Sequence, residues 1–349
     1  MKKYIAFIVA FVLLVAAIIV PQSVSSGVKA GEGKGENFEV DSFKALVKSA
    51  EKTIKGGVTL YLSGESTSDM SLSAKGSDSS SKSRVRFEAE RYISKKGAQY
   101  TVCTATIFNS SSSYIENDDE DINISSGTAI TVSYEEYSYG KDKFYKINSY
   151  EASGEDDKNF AAIVIGKWID ATMEIDGDSD DDIAVGMFLA SVSSAYSTAS
   201  AQISKAQGLY TTFLAIDDKY WDESGSSIKL DDDDTLEAVA KSLVGRGMNK
   251  DDEYKADVEI SFADKEAPKF KVNASANYES EDDSGNVDVS AGANFVNYEV
   301  VMTNIGNTIV EEDIDKDDIF SAKELKTALK NSGLMDRYYD FEEEEEDDE

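Results

Sequence analysis

The stretch Val58-Thr59-Leu60-Tyr61-Leu62 places its aliphatic side chains at every second position, which is the period of a half-buried β-strand. The same alternation returns at Val85-Arg86-Phe87-Glu88-Ala89, at Ile130-Thr131-Val132-Ser133-Tyr134 and at Phe144-Tyr145-Lys146-Ile147. Clusters of Ser, Gly, Asp and Asn separate these segments, as in turns between strands. From residue 58 to about residue 148 the sequence therefore predicts consecutive antiparallel strands in a meander.

Helical patterns flank and interrupt this meander. Asp41 can cap a helix over residues 42–55, whose apolar side chains recur on one face before Gly56-Gly57. Residues 160–175 predict one or two strands, residues 181–205 a long Ala- and Ser-rich helix, and residues 236–243 a third helix. Alternation resumes over residues 256–301 and predicts four more strands. This order favours an α+β fold, with a strongly curved antiparallel sheet in an unclosed half-barrel and helices packed on its concave face.

The composition excludes several classes of function. The chain has 349 residues, 68 acidic against 35 basic side chains, no His and one Cys, with a formal net charge of -33. Without His there is no Ser-His-Asp triad and no His-containing zinc site, and Cys103 alone cannot form an intramolecular disulfide. A field this negative repels phosphate backbones, so we expect no binding to nucleic acid.

The N-terminal segment predicts export. Lys2 and Lys3 precede an uninterrupted apolar run over residues 4–20, the pattern of a secretory signal peptide or a signal anchor. Small residues near position 30 offer cleavage sites, yet the run is also just long enough to span a bilayer, so attachment to a membrane stays open. We expect a protein that is extracellular, periplasmic or anchored at the cell surface.

Several weaker motifs together resemble the LolA/LppX superfamily of exported lipid-binding proteins. They are the helix at 42–55 leading into strands, Lys143-Phe-Tyr-Lys-Ile-Asn followed by Gly166-Lys-Trp168-Ile, and a closing pair of strands from Val287 to Gly306. The sequence lacks the lipobox Cys of such lipoproteins. The resemblance implies a half-barrel over residues 41–310 and a lipid or other hydrophobic small molecule held between sheet and helices. The residues that would line this cavity are Phe87, Ile130, Phe144, Ile147, Trp168, Met187, Leu189 and Phe213.

The remaining segments complete the predicted organisation. Residues 1–30 would form the signal segment, 31–40 a flexible tether, 311–335 an acidic loop with a C-terminal helix, and 336–349 an acidic disordered tail. An alternative function is that of a non-catalytic surface protein, structural or interacting, whose core is filled by its own side chains and whose acidic face binds cations or a basic protein partner.

The acidic loop matches the spacing of an EF-hand, which is the basis for predicting calcium as an alternative to no cofactor at all. Its ligands would be Asp313, Asp315, Asp317, Ile319 through its carbonyl, Ser321 and Glu324. Asp318 stands where such loops need Gly, and Ser321-x-x-Glu324 is also a capping box for a helix that ends before Gly333.

We expect no enzyme, and we assign no catalytic residue. A carboxylate pair for glycoside hydrolysis remains open, since 68 acids leave too many pairs to choose among.

Overall fold

A computed structural model describes most of the folded body. It covers residues 28–32, 40–74, 77–115, 122–152, 155–173, 179–244, 253–280, 289–312, 314 and 318–334. The predicted signal peptide up to residue 27, residues 33–39 of the tether and the tail from residue 335 lie outside the described residues.

Five α-helices, a short 3₁₀ helix (Asp218–Tyr220) and fourteen strands make up the described part. The helices are α1 (Phe43–Gly56), α2 (Glu155–Val164), α3 (Asp180–Leu214), α4 (Asp233–Val244) and α5 (Ala322–Ser332). The strands are β1 (Val28–Glu32), β2 (Gly57–Ala74), β3 (Ser77–Ser94), β4 (Gln99–Ile115), β5 (Ile122–Tyr139), β6 (Asp142–Ala152), β7 (Trp168–Asp170), β8 (Trp221–Ser224), β9 (Ser227–Leu230), β10 (Glu253–Ser261), β11 (Lys269–Ser280), β12 (Val289–Thr303), β13 (Thr308–Glu312) and β14 (Ile319–Phe320).

Twelve of these strands form one large sheet in the order β14-β7-β6-β5-β4-β3-β2-β12-β11-β10-β9-β8. The predicted meander is confirmed in β2 to β6, where each strand pairs antiparallel with the next, and antiparallel pairing resumes in β8 to β12. Among the described residues of 256–301 there are three strands, β10 to β12, where four were predicted, and the short β8 and β9 precede them where none was predicted. The two halves meet because β12, late in the chain, pairs with β2. Sequence alternation cannot show this pairing, since it fixes which face a residue takes but not the neighbouring strand.

The predicted fold class is wrong in two respects. The sheet is mixed, because the two residues of β14 pair parallel with Trp168 and Ile169 of β7. Second, the prediction that helices pack on one concave face does not match the layers of the structure. Helix α3 packs on one face of the sheet, while β1 and β13 form a separate two-stranded sheet against the other, where Thr59 and Thr308 hydroxyls are 2.9 Å apart. Buried clusters therefore lie on both faces of the sheet.

Some of the individual helices and strands predicted from the sequence are present in the structure, and others are replaced. Helices α1, α3 and α4 lie where the apolar periodicity predicted them. The predicted cap of α1 is wrong, because Ser42, whose Oγ accepts from Ala45 N at 3.2 Å, takes the place expected for Asp41. Helix α3 also continues to Leu214, beyond the predicted end at residue 205. Residues 160–175 were expected to supply strands, but the chain first forms α2, with Ala161 and Val164 buried three residues apart, and only then the short β7. Residues 28–30 of the predicted signal segment and residues 31 and 32 of the predicted tether belong to β1.

Helix α3 is the centre of the packing on its side of the sheet. By length and composition its residues Asp181–Leu214 would suffice to cross a membrane. In the structure the helix instead lies against the sheet, where the Tyr145 and Tyr196 rings stack with centroids 4.1 Å apart and Tyr298 donates a hydrogen bond to Gln202. Polar side chains of α3 are thus bound to strand residues within a largely apolar interface.

Beyond this packed body the central strands continue as a single layer, which we call the distal sheet: residues 66–74, 77–84, 108–115, 122–129 and 289–295. None of its described side chains is buried. Cross-strand polar contacts hold it together, including hydroxyl pairs between Ser80 and Ser112 at 2.9 Å and between Ser111 and Ser126 at 2.8 Å. Each hydroxyl or ion pair on such a surface contributes at most about 1 kcal/mol, so the packed body supplies most of the stability.

Candidate functional site: a polar cavity between the sheet and helix α3

Two adjacent acids of β5 point to opposite faces of the sheet. Because strand side chains alternate, Glu136 follows Ile130, Val132 and Tyr134 onto the face covered by α3, and its side chain is buried. Glu135 points to the other face, where Lys146 lies 2.8 Å away and the side chain remains partly exposed. A buried carboxylate is costly unless charges and donors surround it, so the surroundings of Glu136 mark a built polar site.

Four side chains surround the Glu136 carboxylate. Arg91 Nη2 donates to Oε1 at 3.0 Å, and Tyr196 OH and Ser200 Oγ donate to Oε2 at 2.8 and 2.6 Å. Lys143 Nζ lies 3.4 Å from Oε2. Burial would raise the pKa of Glu136, but the charges of Arg91 and Lys143, with the two hydroxyl donors, hold it below the ordinary value. Glu136 is therefore ionised at neutral pH.

Arg91 links this carboxylate to the next strand and to α3. Its Nε donates to Thr101 Oγ1 at 2.7 Å and its Nη1 to Gln207 Oε1 at 2.5 Å. These two bonds and the one to Glu136 engage three of the five N–H donors of a guanidinium. The planar group is thereby fixed in orientation, with donor capacity remaining.

A cavity of about 400 Å³ opens beside this network. Its lining comes from the adjoining ends of β3, β4, β5 and β6, from the turns that join them in pairs, and from the C-terminal half of α3: Arg91, Gly97, Gln99, Glu136, Ser138, Tyr139, Gly140, Lys143, Ser204, Gln207, Gly208, Tyr210 and Thr211. The turns need the left-handed backbone of Gly97 and Gly140, with φ of 88° and 67°. The ionised side chains of the lining are two cations and one carboxylate, a net positive charge within a chain of formal charge -33.

The residues predicted to line a lipid cavity do not line this one. Phe87, Ile147 and Phe213 are buried in the core between α3 and the sheet, with Ile130 and Leu189 packed at its margin. Phe144 and Trp168 belong to a separate cluster on the opposite face, and Met187 is 56% exposed. The structure thus divides these eight residues among three environments, and the assignment of a hydrophobic ligand to them stays a prediction.

The sequence did contain a signal for the polar site. Arg91 continues the inward series Val85, Phe87, Ala89, and Glu136 continues the inward series of β5, so each is a charge at a position where the pattern calls for an apolar residue. Two such charges of opposite sign, on strands separated only by β4, predict a buried pair. Sequence reasoning missed them because it collected apolar residues alone.

Three of the six predicted calcium ligands, Asp313, Asp315 and Asp317, lie outside the described residues. Within the described part of the chain, no group of three or more acidic or thiol side chains has the arrangement of a metal site. The capping box is confirmed: Ser321 caps α5, and the Glu324 carboxylate accepts from Ser321 N at 2.8 Å. Ile319 belongs to β14.

No protein-family model matches this chain, and no curated protein matches it. Among solved structures, the alignments include neisserial surface protein A, at 5% identity over 69% of this chain and 96% of that one, with a TM-score of 0.14. The translocator domain of the autotransporter NalP from Neisseria meningitidis aligns at 6% identity over 74% and 92%, with a TM-score of 0.17. The outer membrane protease OmpT from Escherichia coli aligns at 6% identity over 71% of this chain and 95% of that one, with a TM-score of 0.11. Scores this low do not establish a shared fold. None of the three is a LolA-like protein, and that resemblance stays a prediction.

Proposed function

We propose that this chain is an exported, non-catalytic binding protein that holds a small polyhydroxylated organic acid, such as a sugar acid, in the cavity beside Arg91 and Lys143. Export is supported by Lys2, Lys3 and the apolar run that follows them. The observation that carries the binding function is the pair of buried cations sharing one carboxylate at the wall of an open cavity.

Charge selects an anionic ligand. Glu136 already accepts from Arg91, Tyr196 and Ser200, so it has little left to offer a cation. A ligand carboxylate would balance the second positive charge and take up donors of Arg91 and Lys143, and charge-assisted bonds of this kind are about twice as strong as neutral ones. Repulsion from the rest of the acidic chain is screened beyond about 8 Å at physiological ionic strength, so it slows approach more than it weakens the bound state.

Polar and aromatic groups of the lining favour hydroxyl groups on the ligand. Gln99, Ser138 and Ser204 supply amide and hydroxyl groups, which can both donate and accept. The Thr211 hydroxyl donates to Gly208 O at 2.9 Å and can accept from a ligand. Tyr139 and Tyr210 offer ring faces for the apolar side of a sugar ring. The volume of about 400 Å³ falls within the range of small-molecule sites, near its lower end.

A lipid is the weaker candidate on this geometry. The interface between α3 and the sheet is filled by its own side chains, among them Tyr134, Tyr145 and Phe213, each almost completely buried. Apolar side chains already desolvated against one another gain nothing further from an acyl chain. This packing supports the filled core that the alternative prediction requires.

Titration calorimetry tests the proposal with three probes: glucuronate, neutral glucose and inorganic sulfate. We expect heat of binding with glucuronate, none with glucose, and weaker binding with sulfate, which has the charge without the ring. Lys143→Gln should weaken glucuronate binding about 10- to 100-fold, the loss of one hydrogen bond to a charged group.

Lys146→Gln is the matched control, because Lys146 lies on the same strand but on the opposite face, paired with Glu135. It should bind glucuronate as the unchanged protein does. Absence of binding with both anions, or an equal loss in the two variants, would contradict the proposal.

A further inference from the structure

Strand β5 has an edge that no described strand covers. It pairs with β4 along residues 122–138, but β6 pairs with it only from Ile130 to Tyr139. Along Ile122–Ala129 the outward side of β5 therefore faces no other strand of the described chain. At roughly 3.4 Å per residue this edge is about 27 Å long.

The side chains along this edge are accessible and uncharged. Residues 123–129 are all exposed, and Ile124 is 48% exposed. From Ile122 to Tyr134 the sequence has no charged residue and no Pro, although the chain as a whole is rich in acids. Sheet edges in monomeric proteins usually carry a Lys, a Pro or a covering segment that prevents pairing with another chain. This edge has no such Lys or Pro, and its exposed residues show no covering segment.

We propose that Ile122–Ala129 accepts an extended segment of a positively charged partner protein as an additional strand of the sheet. Backbone N–H and C=O groups along an uncovered edge provide the affinity in this mode of recognition, whatever the partner's sequence. Side chains of the added strand would lie beside Ile124, Ser126 and Thr128 on one face and beside Asn123 and Ser125 on the other.

Charge decides between a partner protein and a second copy of this chain. The charged residues nearest to this edge are acidic: Asp118, Asp119, Glu120 and Asp121 directly precede Ile122 in the sequence, and the exposed Glu151 pairs with Thr131, two residues beyond Ala129. Two copies of the edge would bring these acids together and repel each other. A basic partner is attracted by the same field, while the uncharged edge itself leaves no ionised group to desolvate. The inference is independent of the polar cavity, which lies at the other end of β5.

The test uses a synthetic peptide of alternating threonine and valine with a pair of lysines at each end, labelled for fluorescence anisotropy. Its charge-reversed counterpart carries glutamates instead. We expect the lysine peptide to bind at least tenfold more tightly than the glutamate peptide. Hydrogen exchange by NMR should then show that alternate amides between Ile122 and Ala129 become protected, since every second N–H of a strand points to the same side.

Two protein variants locate the contact. Thr128→Lys places on the edge a charge that repels the peptide and should weaken its binding at least tenfold. Thr104→Lys makes the same change on β4, whose two sides are paired with β3 and β5, and should weaken binding much less. Protection of amides elsewhere, equal effects of the two variants, equal binding of both peptides, or dimerisation of the protein through this edge would each overturn the proposal.

Discussion

Replacing Glu136 with glutamine removes the only negative charge from a buried group that contains Arg91 and Lys143. The amide can keep its oxygen towards Arg91 and donate its NH₂ to the hydroxyls of Tyr196 and Ser200, so shape and most hydrogen bonds survive. The negative charge is lost, however, so the two buried cations Arg91 and Lys143 remain without a compensating anion. Removing one partner of a buried ion pair costs about 3–5 kcal/mol, and we expect about 3 kcal/mol because the hydrogen bonds are largely kept.

Urea unfolding followed by the fluorescence of Trp168 and Trp221 measures this loss, with a lowered midpoint and an unchanged slope. Glu135→Gln is the matched control. Glu135 also binds a lysine and accepts from Tyr100 at 2.9 Å, but it is partly exposed and solvent screens its pair. We expect a loss of about 1 kcal/mol or less there. Equal losses in the two variants would refute the view that the burial of Glu136 makes its charge important.

The pH dependence offers a second check on the same variant. Because the pKa of Glu136 is lowered in the folded protein, the ionised carboxylate contributes stability that is complete above the ordinary value of 4.5 and is lost as the pH falls through the lower folded pKa. The difference in unfolding free energy between the unchanged protein and Glu136→Gln should stay constant from neutral pH to about 4.5 and shrink below it. A difference that grows on acidification would contradict this.

Three further predictions concern packing and capping. Gly64→Ala should lower the unfolding free energy by about 2 kcal/mol, because a Cβ there would lie 2.5 Å from Tyr298 Cδ1. The Cβ of Gly186→Ala in α3 would meet no other atom, so this change should be neutral or stabilising by up to about 1 kcal/mol. Thermal melting compares the two variants. Burial raises the pKa of the Cys103 thiol to about 12, so iodoacetamide at neutral pH should modify it only after unfolding, and rapid modification of the folded protein would disprove its placement in the core. Ser321→Ala should lower the unfolding free energy by about 1 kcal/mol with or without EDTA, and a loss seen only with calcium present would favour the metal loop instead.

The sequence predicted most elements of the fold because their signals are local. Alternation at Val58-Leu60-Leu62 marks β2 and its inward face, and Ser321 with Glu324 marks the start of α5. The overall class could not be read in the same way. The pairing of β12 with β2 and the parallel contact of β14 with β7 join residues more than a hundred positions apart, and no periodicity reports on such contacts.

In the candidate site, too, the residues with local sequence signals could be predicted and those placed by tertiary packing could not. Arg91 and Glu136 could be recognised one at a time as charges within apolar inward series. Their partners Tyr196, Ser200 and Gln207 come from α3, whose position against the sheet depends on tertiary packing. Polar residues of a Ser- and Ala-rich helix are usually solvent-exposed, so nothing in the helix alone separates these three from their neighbours.

The most direct measurement is native mass spectrometry of the protein, purified without detergent from an exporting host and incubated with both glucuronate and a phospholipid. Ionic contacts survive transfer to the gas phase, so a ligand held by Arg91 and Lys143 should remain bound. At a glucuronate concentration just above the dissociation constant of the unchanged protein, we predict one equivalent of glucuronate on that protein, at most about a tenth of that occupancy on Lys143→Gln, and no phospholipid on either. A stoichiometric phospholipid adduct without glucuronate would contradict a polar ligand site and restore the hydrophobic one.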